Sequence, residues 1–393
     1  MVLSVAAVFA AGCAHADEEL AIAPLAPAAG RVDQGLGPGT RALSSGPGYK
    51  GSPSWSPGGN RIAFTVDGSV VVRPTDSGDP GRRTTKDFIA EDTEWVSSET
   101  LMILGAAPTK TEESADSPDS LYKARDGTDS LELERVGKEV LAIGPGRGGL
   151  ILALGSGTQE SNLALARGNG EVYRLYTRPI TGRVAALSPA PDDDQAVLAV
   201  RPPGDREISE LSVFDLRNGK GRKITRLEGN QEILGTPQWT QQGIYFIAGK
   251  KSTPLDSDGS EPLYYLYRVS PSGGSPEPAS GVGEDFVAAN IRASPDGEWL
   301  AVIGRLNPKA PTNLYVLNPL TEDFTAVTTN EDMEIKTGPD DPAWSPGGES
   351  VAIIARGTPS TEPEVHAEPA DRLLRDFYNL YEIPVGGQED TPR

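Results

Sequence analysis

The chain repeats itself. Pro53-Ser54-Trp55-Ser56-Pro57-Gly58-Gly59, followed by Arg61-Ile62-Ala63-Phe64, is echoed by Pro342-Ala343-Trp344-Ser345-Pro346-Gly347-Gly348, followed by Ser350-Val351-Ala352-Ile353-Ile354. Between them, Ala293-Ser294-Pro295-Asp296-Gly297 leads into Trp299-Leu300-Ala301-Val302. Fainter copies are Glu94-Trp95-Val96-Ser97, Leu187-Ser188-Pro189, Pro237-Gln238-Trp239-Thr240 and Ile143-Gly144-Pro145-Gly146. With Ser56, Ser97, Gly144, Ser188, Thr240, Ser294 and Ser345 as anchors, successive spacings are 41, 47, 44, 52, 54 and 51 residues. A unit of that length buries its apolar faces by stacking on its neighbours, and the spacing suits one four-stranded blade of a β-propeller.

Each unit reads as strand, turn, strand. A strand ending in an apolar residue or Trp meets S-P-x-G, in which Pro presets φ for the first corner and Gly supplies a positive-φ corner. A β-rich run returns, as at Ile62–Val66 or Leu300–Ile303. Third strands are expected at Leu121-Tyr122, Leu175-Tyr176, Leu211–Leu216, Leu266–Val269, Leu314–Leu317 and Leu380–Ile383. Short outer strands follow, for example Arg222-Lys223-Ile224-Thr225 and Thr325-Ala326-Val327-Thr328. The last unit has little chain left for an outer strand, whereas Thr40-Arg41-Ala42-Leu43-Ser44-Ser45 looks like one. Residues 39–45 are therefore expected to pair with Asn379–Pro384 and close the ring, leaving no long edge. The expected fold is an all-β propeller of seven four-stranded blades, or six if the segment around Gly144 is an insertion.

These W-S-P-x-G units resemble the Pro-Asp type repeats (W-S-P-D-G) of the TolB family of the Tol–Pal system, over about residues 40–390. The resemblance implies a propeller working in the cell envelope. This chain writes Gly58 and Gly347 where the family has Asp and keeps the acid at Asp296. It has no room for the family's N-terminal α/β domain, and its seven units exceed the family's six blades. The resemblance thus supports fold and compartment more than the Tol role.

The N-terminus reads as an address. Residues 2–12 are an uncharged apolar run of signal-peptide length, too short to span a bilayer. The run ends in Ala10-Ala11-Gly12-Cys13, which resembles a lipobox with Cys13 as the lipidated residue. Cleavage after Ala14-His15-Ala16 is the alternative. The expected organisation is a signal peptide at 1–12, an Ala/Pro-rich tether at 13–38 and a propeller at 39–393.

Charge and scarcity narrow the chemistry. The 56 acidic residues against 36 basic ones give a net charge of −20. Such a surface repels nucleic acid, which is not expected as a partner. One Cys allows no internal disulfide, and two His, His15 and His366, allow neither a Cys/His metal cluster nor most His-based chemistry. No G-x-S-x-G elbow occurs, and residues 144–149 lack the ending of a phosphate loop and read as a turn. Asp256-Ser257-Asp258-Gly259 is a fragment of a calcium loop that turn chemistry explains. No cofactor, metal or reaction is expected.

The candidate binding residues are cations. The long connections from second to third strand gather on one rim, and each carries a cation in its first part: Lys110, Arg201, Lys250, Arg305 and Arg356. Together they could form a basic ring that captures a carboxylate. Nearby loops are acidic (Glu91, Asp92, Glu232, Glu284, Asp285, Asp332, Glu334, Asp340 and Asp341), so local pairing of surface charge is the competing reading. The five Trp stand beside repeat turns and are expected to pack in the core rather than form a sugar platform. His366 finds no nucleophile, and Leu373 and Leu374 either dock a partner or fold back. The functional expectation is a monomeric, exported platform, lipid-anchored through Cys13, that binds an envelope protein, a peptide or a ligand. A sensor of anionic or cell-wall fragments and a carboxylate-dependent hydrolase or lyase are the alternatives.

Overall fold

The repeat turn is a local consequence of residue order. The structure is a computed structural model that describes residues 36–385, except 77–80, 85–88, 107–118, 127–129, 147–148, 156–158, 168, 170, 176–178, 193, 251–261, 331–332, 338–341 and 358–377. Gly59, Gly297 and Gly348 donate their N–H groups to the carbonyls of Ser56, Ser294 and Ser345 at 2.8, 2.9 and 3.0 Å. Their φ angles are 71°, 71° and 79°, a region that costs any residue with a Cβ. Each Ser hydroxyl then accepts the N–H that opens the return strand: Arg61 at 3.1 Å, Trp299 at 3.0 Å and Ser350 at 3.1 Å. Asp296 Oδ1 adds bonds from Ser294 Oγ at 2.5 Å and the Glu298 N–H at 3.0 Å. Where Gly58 replaces that Asp, Asn60 Oδ1 accepts from Ser56 Oγ at 3.2 Å instead. At Gly347 a side chain would run into the Glu349 carboxylate.

The strands form antiparallel sheets in chain order. The first holds Lys50–Trp55, Arg61–Val66, Ser69–Pro74 and Arg82–Arg83. An eight-stranded sheet follows, and its strand Leu131–Gly146 is shared by two repeat units. Residues 131–140 of that strand pair with Asp119–Asp126, and residues 140–146 pair with Gly149–Gly155. The segment around Gly144 therefore lies within a strand. Three four-stranded sheets come next, opening with Arg183–Pro189, Gln231–Thr240 and Val287–Ala293. In the last sheet, Met333–Ile335 and Ala343–Trp344 both pair with Ser350–Gly357, which pairs with Asn379–Pro384. Arg41–Ala42 lies outermost on that sheet, with Arg41 opposite Glu382 and Ala42 opposite Tyr381. The chain is an all-β propeller.

Second strands show why their sequences read as continuous apolar runs. Ile62, Ala63 and Phe64 are all buried, as are Leu300 through Ile303 and Val351 through Ala355, because each sheet is covered on both faces. The apolar core is divided accordingly into clusters lodged between successive units. One cluster joins the two ends of the array, with Leu43, Trp55, Ile62 and Phe64 against Ala343, Ala352, Ile354 and Leu380. Among the third strands, one differs from expectation. Glu160–Ala166, not Leu175-Tyr176, is the third strand of its unit, and the Leu175 N–H bonds to the Leu163 carbonyl at 2.9 Å beyond the outer strand Val172–Arg174. Small buried Ala164 and Ala166 weaken its apolar signal.

The Trp residues pack in these clusters, as expected for core residues; Trp299 is partly buried against its cluster. Three also stitch units together. Trp344 Nε1 donates to the Arg292 carbonyl at 2.9 Å, Trp55 Nε1 to Ala343 at 3.3 Å, and Trp95 Nε1 to Ser54 at 3.1 Å. Each bond runs from one inner strand to the inner strand of the preceding unit.

Two predictions follow from this packing. Trp95→Phe should lower stability to denaturant by about 1–2 kcal/mol more than Trp239→Phe, because it strands the Ser54 carbonyl; equal losses would deny the indole bond a role. Deleting residues 39–46 removes the Arg41–Ala42 pairing and buried Leu43, and should lower Tm by at least about 5 °C. An unchanged Tm would mean that this strand does not hold the last sheet.

Candidate functional site: the central channel

The inner strands bring their turn ends together around a cavity of about 470 Å³. The residue that precedes the Trp, or its counterpart, lines this space: Ser54, Glu94, Gln238, Arg292 and Ala343. In most units that residue is small or neutral. Glu94 and Arg292 are charged, and they meet across the channel, with Arg292 Nη2 2.6 Å from Glu94 Oε1. They belong to the second and sixth units, which are separated around the ring by the first and the last. Glu94 Oε2 also accepts from Ser54 Oγ at 3.3 Å.

Arg292 is enclosed by protein, yet 34% of its side chain remains accessible, against 13% for Glu94. Burial alone would lower its pKa, but the charge and hydrogen bond of Glu94 and the charge of Asp92 more than offset this, and the guanidinium is held firmly charged. Asp92 lines the same cavity. Gln238 is fixed by accepting the Ala293 N–H at 3.1 Å and donating to the Thr236 carbonyl at 3.1 Å. The site therefore presents two carboxylates, one guanidinium, amide groups and indole edges. Among the described residues no cluster of three or more His, Cys, Asp or Glu is placed to hold a metal.

Four of the five cations singled out from sequence stand at the opposite rim. Arg201, Lys250 and Arg305 end their second strands, and Arg356 lies one residue from the end of its own. Arg201 and Lys250 are exposed, and Arg305 is partly buried. Arg356 is engaged: its Nε donates to Glu334 Oε2 at 2.7 Å, and its guanidinium lies 4.7 Å from the centre of the Tyr378 ring. Tyr378 Oη donates to Glu334 Oε1 at 2.5 Å. Glu232 on the same rim accepts from Tyr264 Oη at 2.6 Å. Lys110, Cys13, His366, residues 256–259 and residues 371–376 lie outside the described residues.

Glu94 and Arg292 were not singled out from sequence. The signal was available: aligning the units on their anchors shows charge before the Trp position in the second and two residues before the anchor in the sixth. What the alignment does not show is that the two face each other, since 198 positions separate them.

No protein-family model matches the sequence, and no curated protein matches it. Solved structures do resemble it in fold. An oligogalacturonate lyase from Vibrio parahaemolyticus matches with a TM-score of 0.52 at 12% identity, covering 89% of this chain and 94% of that one. The β-propeller domain of the trilobed protease from Pyrococcus furiosus matches with a TM-score of 0.52 at 12% identity, covering 87% and 97%. TolB from Acinetobacter baumannii is also among the similar structures, with a TM-score of 0.42 at 13% identity, covering 83% and 76%. The shared property at these identities is the propeller fold.

One expectation is corrected here. The absence of a nucleophile elbow and the scarcity of His led to the expectation that the chain is not an enzyme. A lyase has the same fold over nearly the whole chain. A propeller gathers carboxylates and guanidiniums from separate blades, so a missing linear motif does not exclude a reaction.

The rim cluster yields a pH prediction. The hydrogen bond from Tyr378, and then that from Arg356, hold Glu334 below the usual carboxylate range. Burial, and then the bond to Glu334, push Tyr378 up from 10 to about 12. The Glu334 contribution is present above its usual pKa and lost on acidification, whereas the Tyr378 contribution is whole below pH 10 and lost as pH rises toward 12. Tyr378→Phe should therefore flatten the loss of stability between pH 10 and 12, measured by denaturant titration. An unchanged alkaline slope would contradict the assignment.

Proposed function

We propose that the chain is a ligand-binding propeller of the cell envelope, with the turn-end channel as the seat of a small polar ligand. The observation that carries this reading is the Arg292–Glu94 pair spanning a cavity of about 470 Å³. That volume falls among small-molecule sites, roughly 300–1,000 Å³. An ion pair partly withdrawn from water is a poor way to brace a channel, since well-packed apolar side chains often do so at no loss of stability. As a recognition device the same charges have a use. The opposite rim, with Arg201, Lys250, Arg305 and Arg356, is the surface for an envelope protein or peptide. The apolar run at 2–12 and Cys13 support export and a lipid anchor.

A second reading places a carboxylate-dependent lyase or hydrolase in the same cavity. Asp92 and Glu94 offer a general base beside a guanidinium able to offset charge on a substrate. Product release from an oligogalacturonate, lost in Glu94→Gln, would favour it over simple binding.

The seat is tested by a thermal-shift screen of small polar compounds on the protein and on Ala293→Trp, which adds an indole to the channel wall beside Arg292 and narrows the space. Compounds that raise the Tm of the protein by several degrees should leave that of the variant unchanged. Equal shifts in both, or no shift from any compound at millimolar concentration, would contradict the channel seat.

A further inference from the structure

We infer that the channel seat takes a zwitterion, a ligand carrying an ammonium group and a carboxylate a few bonds apart, as an amino acid or a short peptide does. The inference rests on the channel reading above and names the ligand class. Its starting point is the incomplete use of Arg292. The guanidinium reaches Glu94 through Nη2 alone, so the contact is single-pronged. Nε and Nη1 have no acceptor among the described residues, and a third of the side chain is open to the cavity. A planar fork with free donors matches a carboxylate, which can take two parallel N–H bonds from it.

A carboxylate by itself is a poor fit, because Asp92 and Glu94 already place two negative charges beside Arg292. An ammonium by itself is a poor fit as well, because it competes with Arg292 for Glu94. A ligand with both groups resolves the conflict. Its carboxylate takes the free edge of Arg292, its ammonium lies against Asp92 and Glu94, and the net charge of the enclosed site does not change. No charge is then left buried without a partner, which is the costly outcome in a site shielded from water.

The protein groups are held in advance. The Arg292 carbonyl is fixed by Trp344 Nε1 at 2.9 Å, and Glu94 is steadied by Ser54 Oγ. The Ser54 carbonyl in turn accepts from Trp95. Such fixing lowers the ordering cost of binding. Trp344, Pro295 and Pro346 supply apolar wall for a side chain, and Gln238 lies within the same lining. The cavity has room for a few residues and not for a folded partner.

Isothermal titration of the full chain with free dipeptides, alanyl-alanine first, tests the inference when each is compared with its N-acetyl and C-amide forms. At least one free dipeptide should bind, with each blocked form at least tenfold weaker. Arg292→Lys keeps the charge but loses the fork and should also weaken the free dipeptide at least tenfold, with Tm near that of the unsubstituted chain. Equal binding of an N-acetyl form would make the seat one for anions, and equal binding of a C-amide form one for cations. Either result overturns the zwitterion while leaving the channel as a seat. If no dipeptide binds although Ala293→Trp still abolishes thermal shifts by other compounds, the ligand class alone fails. If those shifts survive in Ala293→Trp as well, the channel reading fails with it.

Discussion

The indole N–H bonds between neighbouring inner strands set the geometry on which everything else depends. Trp344 donates to the carbonyl of Arg292, Trp55 to that of Ala343, and Trp95 to that of Ser54. The three bonds run in sequence from the sixth unit through the last and first to the second, across the join between the two ends of the array. A buried indole usually finds an acceptor. By taking it from the preceding unit, each Trp fixes how closely two inner strands approach, and so fixes the width of the channel. The Arg292–Glu94 contact then lies as a chord under this arc, linking its two end units.

The balance of forces favours the proposed reading of the chord as a site over that of a strut. The ring is held by apolar clusters between units, in which second strands are buried on both faces. Against that framework one ion pair adds little net stability, because desolvation of both charges offsets much of their attraction. Its cost is tolerable because the channel leaves Arg292 partly accessible. Recognition benefits from the same circumstance: the charges are strongly felt inside an enclosed, weakly screened space and are still reachable by a small ligand.

Much of the fold was legible because the information is local. Ser-Pro-x-Gly writes the turn, Ser56 and its counterparts cap the return strand, and apolar runs such as Ile62-Ala63-Phe64 announce strands covered on both sides. The pairing of Arg41–Ala42 with Asn379–Pro384 could be anticipated because the last unit lacked an outer strand. Legibility failed where the signal depended on distant partners. Glu160–Ala166 carries a weak strand signal because Ala164 and Ala166, at its buried positions, give little apolar contrast. That Glu334 and Tyr378 engage Arg356 shows only in the fold, because the sequence places them 22 residues away in either direction. Glu94 and Arg292 each look like an ordinary charge in a strand until the ring places them face to face. The expectation of no enzymatic activity loses its ground for a related reason: a propeller can gather reactive groups from separate blades, so the lack of a linear motif does not exclude a reaction.

The most direct test of this account is a double-mutant cycle between Glu94 and Arg292, with Glu94→Gln, Arg292→Gln and the double variant compared by denaturant unfolding. The two positions lie on non-neighbouring units, so only a contact across the channel can couple them. A coupling of about 0.5–3 kcal/mol is predicted. Effects that add to within about 0.3–0.5 kcal/mol would show that the charges do not meet across the channel, and the seat built on them would fall.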